Sequence, residues 1–297
     1  MKIKINQPIR GTHHLFCGAV CAGAVMLIAS STQAQNLFVS DGSGNIYEYS
    51  PGGAQSTFAS GLSNPDGLAF NSAGDLFVAD WSIGDIYEYT PAGMRTTFAS
   101  GLDNPSLLAF NSAGDLFESD QGSGNIYEFT PGGARTTFAS GVGNPTGLAF
   151  NSAGNLFVAN FTGSSIYEFT PGGSRTTFAS GLDYPVGLAF NSAGNLFESD
   201  SSGNIYEFTP GGTRSTFASG LNYPYGLAFN SAGNLFETDL HSGNIYEYAP
   251  DGSRGTFASG LNETQNMQLA FQPVPEPSTL ALLAVGATAL LVRRRQH

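Results

Sequence analysis

Lysine disappears from this 297-residue chain after Lys4, and histidine occurs only at His13, His14, His241 and His297. The only two cysteines are Cys17 and Cys21. Both fall in an N-terminal stretch that reads as a removable leader, so the rest offers no disulfide, thiol nucleophile or cysteine–zinc site. Neither cysteine sits in a lipoprotein cleavage box, because Phe16 and Val20 occupy the preceding small-residue position. A Ser-His-Asp arrangement would have to use His241, and no nucleophile-elbow motif accompanies it. Catalysis has little to build on.

Positive charge is scarce as well. Of 11 lysines and arginines, Lys2, Lys4 and Arg10 stand at the start and Arg293, Arg294 and Arg295 at the end. The middle keeps Arg95, Arg135, Arg175, Arg214 and Arg254 against 22 of the 23 acids, all but Glu276, for a net charge of about −17. Phosphate binding needs a basic face, so nucleic acid is excluded as a partner.

What the chain has in abundance is repetition. Ile-Tyr-Glu-(Tyr/Phe) begins at Ile46, Ile86, Ile126, Ile166, Ile205 and Ile245. Thr-Phe-Ala-Ser-Gly begins at Thr57, Thr97, Thr137, Thr177, Thr216 and Thr256. A period near 40 residues with several short strands per unit marks a propeller or an array. One copy shows the pattern: Gly147–Phe150, Asn155–Asn160, Ile166–Thr170 and Arg175–Ala179 are strand-length runs separated by Gly, Pro, Asn and Ser. Turns this short make neighbouring strands antiparallel, which gives a four-stranded meander.

The phase of the repeat predicts a closed ring. The first copy begins at its second strand, Asn36 to Asp41, and an extra first strand, Leu269-Ala-Phe271, follows the last copy. These two segments should share the sixth sheet. The fold expected is therefore all-β: a monomeric six-bladed propeller over 35–272, closed by strands from both ends.

The blade motifs are Pro-x-Gly-Leu-Ala-Phe, Gly-Asn-Leu-Phe-x-x-Asp and Asn-Ile-Tyr-Glu-Phe-Thr-Pro-Gly-Gly. They resemble the NHL and streptogramin-lyase-like propellers, which are similar in turn to the gluconolactonase superfamily. The resemblance covers all six copies and implies a fold more than an activity. The lyase-like members imply histidine and glutamate as catalytic groups, and the gluconolactonase-like ones imply a divalent cation in the channel.

The ends read as addresses. A basic segment, an apolar stretch from about Leu15 to Ala29 and Thr32-Gln33-Ala34 predict a signal peptide over 1–34. At the other end, Pro275-Glu276-Pro277, an apolar run from Leu280 to Val292 and Arg293-Arg294-Arg295 resemble a PEP-CTERM protein-sorting signal. That resemblance implies secretion machinery and an exosortase-type processing enzyme as partners, in a Gram-negative bacterium, with the product at the envelope, on the outer surface or released. Thirteen apolar residues span about 20 Å as a helix, short of a roughly 30 Å hydrocarbon core. Snorkelling arginines reduce the deficit, so the tail predicts transient or permanent membrane attachment.

Candidate site residues lie where the copies differ. Trp81, Phe161 and His241 fall in loops after second strands, Tyr184 and Tyr223 in connections between blades, and Asp66 and Tyr225 before the inner-strand glycine. All should ring one mouth of the channel, the top, and offer aromatic faces to a surface polysaccharide or protein. Glu118, Glu198 and Glu237 replace a valine found in other copies and must be paired, hydrated or bound to a cation. With Asp66 they form the candidate metal set, whose oxygen chemistry suits Ca2+. Asp41, Asp80, Asp120, Asp200 and Asp239, with Asn160, read as loop-capping groups. The repeated strand-three glutamates and the five arginines should form cross-strand pairs. Three functions remain: a non-enzymatic binding scaffold, a calcium-dependent lactonase or lyase-like enzyme, and a structural coat component.

Overall fold

A computed structural model describes residues 34–261 and 266–274. The leader, the apolar run 280–292 and the sorting residues Pro275 to Pro277 and Arg293 to Arg295 lie outside the described residues. Among the described residues there are 24 strands and no helix. They form six four-stranded antiparallel sheets, numbered here as blades 1 to 6 from the N-terminal side.

Blade 1 holds the closure. Its three outer strands are Leu37–Asp41, Asn45–Tyr49 and Gln55–Ala59, and its innermost strand is Leu269–Phe271. Leu37 lies opposite Phe271, Phe38 opposite Ala270 and Val39 opposite Leu269. The ring is therefore closed by pairing the two ends of the repeat region. Blades 2 to 6 follow in order over 65–99, 105–139, 145–180, 185–219 and 224–259. In blade 4 the inner strand is Pro145–Phe150, starting two residues before the expected glycine.

Each blade is apolar on both faces, and each face packs against a neighbour. Phe38 meets Phe58 of its own blade and Phe70 of blade 2, both at 5.0 Å between ring centroids and nearly perpendicular. Phe58 in turn meets Tyr89 of blade 2 at 5.8 Å. The same four-ring cluster recurs around the ring. At the closing interface Phe236 of blade 6 meets Phe257 at 5.1 Å and Phe271 at 4.9 Å. Edge-to-face pairs add about 0.5–1.5 kcal/mol each beyond their buried area, so the interface that joins the ends resembles the other five.

Near the axis the inner strands approach one another closely. A Cβ at Gly67 would lie 2.1 Å from the Ser106 carbonyl of the next blade, and one at Gly187 would lie 2.2 Å from the Tyr225 carbonyl. That contact accounts for glycine at this place in blades 2, 4, 5 and 6, whereas Leu107 and Gln268 stand there in blades 3 and 1. Ser199 Oγ accepts from the Gly187 N–H and donates to the Tyr225 carbonyl, at 2.9 and 2.8 Å, stitching blade 5 to blade 6.

One expectation about the outer edge is corrected. The arginines do not turn to the strand-three glutamates; each guanidinium lies over a tyrosine ring, as Arg95 over Tyr87 at 4.8 Å and Arg135 over Tyr127 at 5.0 Å. The tyrosine one residue before each glutamate projects to the opposite face of the strand, where it meets the arginine stem. Four of the six glutamates accept instead from asparagine amides, as Glu168 from Asn155 and Glu207 from Asn195, both at 2.7 Å, while Glu88 and Glu128 have Asp75 and Asp115 beside them.

Candidate functional site

The top face is built from loops that follow second strands and from connections between blades. The strand-ending acids hold these together. Asp80 accepts from the Ser63 and Asn64 N–H groups at 2.8 and 3.1 Å, and Asp120 from Asp103 N–H at 2.8 Å and Ser123 N–H at 3.0 Å. A second bond fixes where the variable loop residue emerges: Trp81 N–H donates to the Asn64 carbonyl, Phe161 N–H to Asn144 and Leu240 N–H to Tyr223. The scaffold repeats while the side chains it aims do not.

On this face lies an open cavity of about 370 Å³. Its aromatic wall comes from blades 4 to 6. Phe161 packs on Tyr184 with ring centroids 5.0 Å apart, and Tyr223 stacks on Tyr225 at 6.4 Å and meets His241 at 5.3 Å. Gln121, Asn144 and Asn266 supply amides, with Thr146 and Val186 nearer the axis. Trp81 stands beside the cavity, its indole N–H donating to Gln121 Oε1 at 3.3 Å. Six of the seven expected aromatic, histidine and acidic candidates thus belong to one region of the mouth. Asp66 is the one set deeper.

The residues at the inner-strand position of Asp66 were expected to ring the mouth. Asp66, Ser106, Thr146, Val186, Tyr225 and Met267 are all buried, and only Thr146, Val186 and Tyr225 reach the cavity, at its floor. Tyr225 is part of the hydrophobic core joining blades 6 and 1, and its hydroxyl donates to Asn266 Oδ1 at 3.0 Å. Asp66 is 0% exposed, accepts from Ser106 Oγ at 2.6 Å and has Oδ1 unpartnered. Burial pushes its carboxyl up to about 7, against the lowering effect of hydrogen bonds, chiefly that from Ser106.

Two tyrosines hold an unusual backbone. Tyr184 and Tyr223 have φ of 54° and 69°, the left-handed region. The equivalent Asn104 and Asn266 have φ of 59° and 45°. Asparagine accepts this conformation readily, whereas tyrosine is strained in it. Tyr184 is also 48% exposed.

The candidate metal residues do not converge. Glu118, Glu198 and Glu237 lie in blades 3, 5 and 6, opposite the inner-strand Leu108, Leu188 and Leu227. Each shares a strand face with the leucine two residues earlier, and that leucine packs against the preceding blade, as Leu116 does with Phe77 and Ile86. All six carboxyl oxygens are buried without a hydrogen-bond partner. Desolvation raises Glu198 to about 8 and holds Glu118 and Glu237 well above the usual range. Among the described residues no three His, Asp or Glu side chains are grouped to hold a metal ion.

Residues 273–295 match the PEP-CTERM protein-sorting motif. The chain carries an exosortase sorting signal. It is thus an exported bacterial protein sorted to the cell surface and processed by exosortase. No curated protein is significantly similar to it in sequence. Its fold is similar to a chain in the crystal structure of a nidogen–laminin complex, with TM-score 0.73 and 21% identity over 81% of this chain and all of the other. A streptogramin B lyase structure matches with TM-score 0.58 and 16% identity, covering 77% of this chain and 75% of that one. A putative gluconolactonase structure matches with TM-score 0.61 and 18% identity, covering 73% and 83%. At these identities the likeness is one of fold.

Gln121, Asn144 and Asn266 line the cavity although their residue types do not single them out. Register between copies does. Gln121 occupies the loop place of Trp81 and Phe161, and Asn144 and Asn266 occupy the place of Tyr184 and Tyr223.

Proposed function

We propose that this protein is a non-enzymatic binding propeller, carried on or released from the surface of a Gram-negative bacterium, that engages an envelope or matrix component through its top cavity. One observation carries this reading: the blades are near-copies, and the aromatic side chains that break the repeat in the top loops gather mostly round one cavity. Drift would scatter such differences over all solvent-facing loops, yet the bottom turns stay nearly identical. A rigid ring presenting variable aromatic side chains is an economical binding surface.

The enzymatic alternative has weaker support. Among the described residues the cavity lining includes His241 but no carboxylate, lysine or arginine to act with it. Asp66, whose carboxyl titrates near neutrality, is fully buried beneath the floor.

The test is adhesion. Purified protein is added to cells lacking it, and envelope-bound protein is quantified beside a Phe161→Ala/Tyr184→Asn variant. Retention of wild type with loss of the variant is expected. Equal retention of both would refute the cavity as the binding surface.

A further inference from the structure

The composition of the cavity deepens that reading, on which this inference rests, by specifying the class of ligand. We propose that the top cavity is a binding site for a neutral polysaccharide. Its wall is amphipathic in the way a sugar ring requires. Phe161, Tyr184 and Tyr223 present apolar ring surface, with tyrosine hydroxyls at the edge and buried Tyr225 stacked behind Tyr223, and a pyranose presents C–H groups on its faces and hydroxyls round its rim. The amides of Gln121, Asn144 and Asn266 bring N–H donors and carbonyl acceptors to the cavity. The oxygens of Gln121 and Asn266 each already accept one bond, from Trp81 and Tyr225, which leaves chiefly their donors to meet hydroxyls.

Charge points the same way. Among the described residues the lining carries no carboxylate, lysine or arginine, and the surrounding propeller is strongly acidic. An anionic polymer would find no counter-charge in the cavity and repulsion outside it. A peptide is disfavoured for a different reason. Extended peptides commonly dock by adding to a free sheet edge; here the free edges are the outer strands, such as Gln55–Ala59, at the perimeter of the ring. The cavity volume of about 370 Å³ falls within the usual range of small-ligand clefts, about 300–1,000 Å³. Its open top lets a longer chain continue beyond the bound unit.

The backbone supplies an independent observation. Tyrosine stands at a left-handed position twice, in the two successive connections that border this cavity. Asparagine fills that position in the other four copies and takes the same left-handed backbone at Asn104 and Asn266. Strain retained at two places where the repeat holds a better-suited residue marks them as functional.

The protein contains its own reporter. Trp81 is the only tryptophan, and its indole N–H is bonded to cavity-lining Gln121. The full chain is titrated with cello-, malto-, manno- and xylo-hexasaccharides and with oligogalacturonate as the anionic control, following tryptophan emission and binding heat. Saturable binding of at least one neutral hexasaccharide, and none of the control, is expected. Tyr184→Asn and Tyr223→Asn should each weaken it about tenfold or more without lowering the melting temperature, since asparagine suits the backbone. The proposal is overturned if no neutral hexasaccharide binds at millimolar concentration, if oligogalacturonate binds as well, or if both variants bind like wild type. Adhesion that survives periodate treatment of the cells but not protease would overturn the sugar while leaving the binding function intact.

Discussion

Ser106 and Asp66 are joined across a blade boundary: the serine hydroxyl of blade 3 donates to the carboxylate of blade 2 at 2.6 Å, beside the channel axis. The bond favours the charged carboxylate, yet burial outweighs it and Asp66 titrates at about 7 rather than near 3.8. Between about pH 4 and pH 7 the folded state therefore holds a proton that the unfolded state has lost. Stability from this group is greatest below that window, falls as pH rises through it and is level above. Asp66→Asn should flatten this part of the profile, and Ser106→Ala should extend the decline to higher pH. Melting temperature against pH for the three proteins is the check. Parallel profiles would mean Asp66 is not desolvated.

Glu198 gives a second titration, from an ordinary 4.5 to about 8. The sign is the same: the folded state is penalised as pH rises from about 4.5 to 8, because two carboxylate oxygens without partners must ionise between blades. Glu198→Val, the residue of blades 1, 2 and 4, should raise stability at mildly alkaline pH by at least about 1 kcal/mol and change it little in acid. Chemical denaturation at both pH values decides. A loss at alkaline pH would show that the carboxylate has a partner.

The separate placement of Glu118, Glu198 and Glu237 also makes a prediction about calcium. Ligand binding to the folded state raises the melting temperature by mass action. Millimolar calcium should leave it where chelator does, and a clear rise would restore a metal site to the channel.

Closure can be tested by truncation. Removing residues 275–297 leaves every described strand, whereas removing 266–297 also takes buried Met267 and Leu269 and the Phe271 ring that meets Phe236. The longer deletion should cost several kcal/mol more, from lost apolar burial and ladder hydrogen bonds. Equal melting temperatures would contradict a closed ring.

At the outer edge, a double-mutant cycle between Arg135 and Tyr127 should show about 0.5–1 kcal/mol of coupling, as for an exposed cation over a ring. The Arg135 and Glu128 cycle should be close to zero. The reverse result would reinstate the cross-strand ion pair.

Part of the site could be read before the fold was seen. Trp81, Phe161, Tyr184, Tyr223 and His241 stand out because the repeat is otherwise constant, and register alone assigns them to one face. Depth was not legible. The place of Asp66 beside the inner glycine marks it as axial, but how far a side chain stands from water depends on how tightly six inner strands converge. That distance is set by contacts such as Gly67 against the Ser106 carbonyl.

The amino-acid sequence by itself determined the period, the strand order within a blade, the number of blades and the phase that closes the ring, because each follows from local pattern and antiparallel turns. It also determined the sorting address, since a short terminal motif is read as a string. Only the tertiary structure decided which side chains share space. Tyr127 rather than Glu128 meets Arg135, the three glutamates are kept apart, and the aromatic side chains of blades 4 to 6 form one wall. Those outcomes depend on which strand face a residue occupies and which blade lies against it, relations between segments that no local stretch of sequence contains.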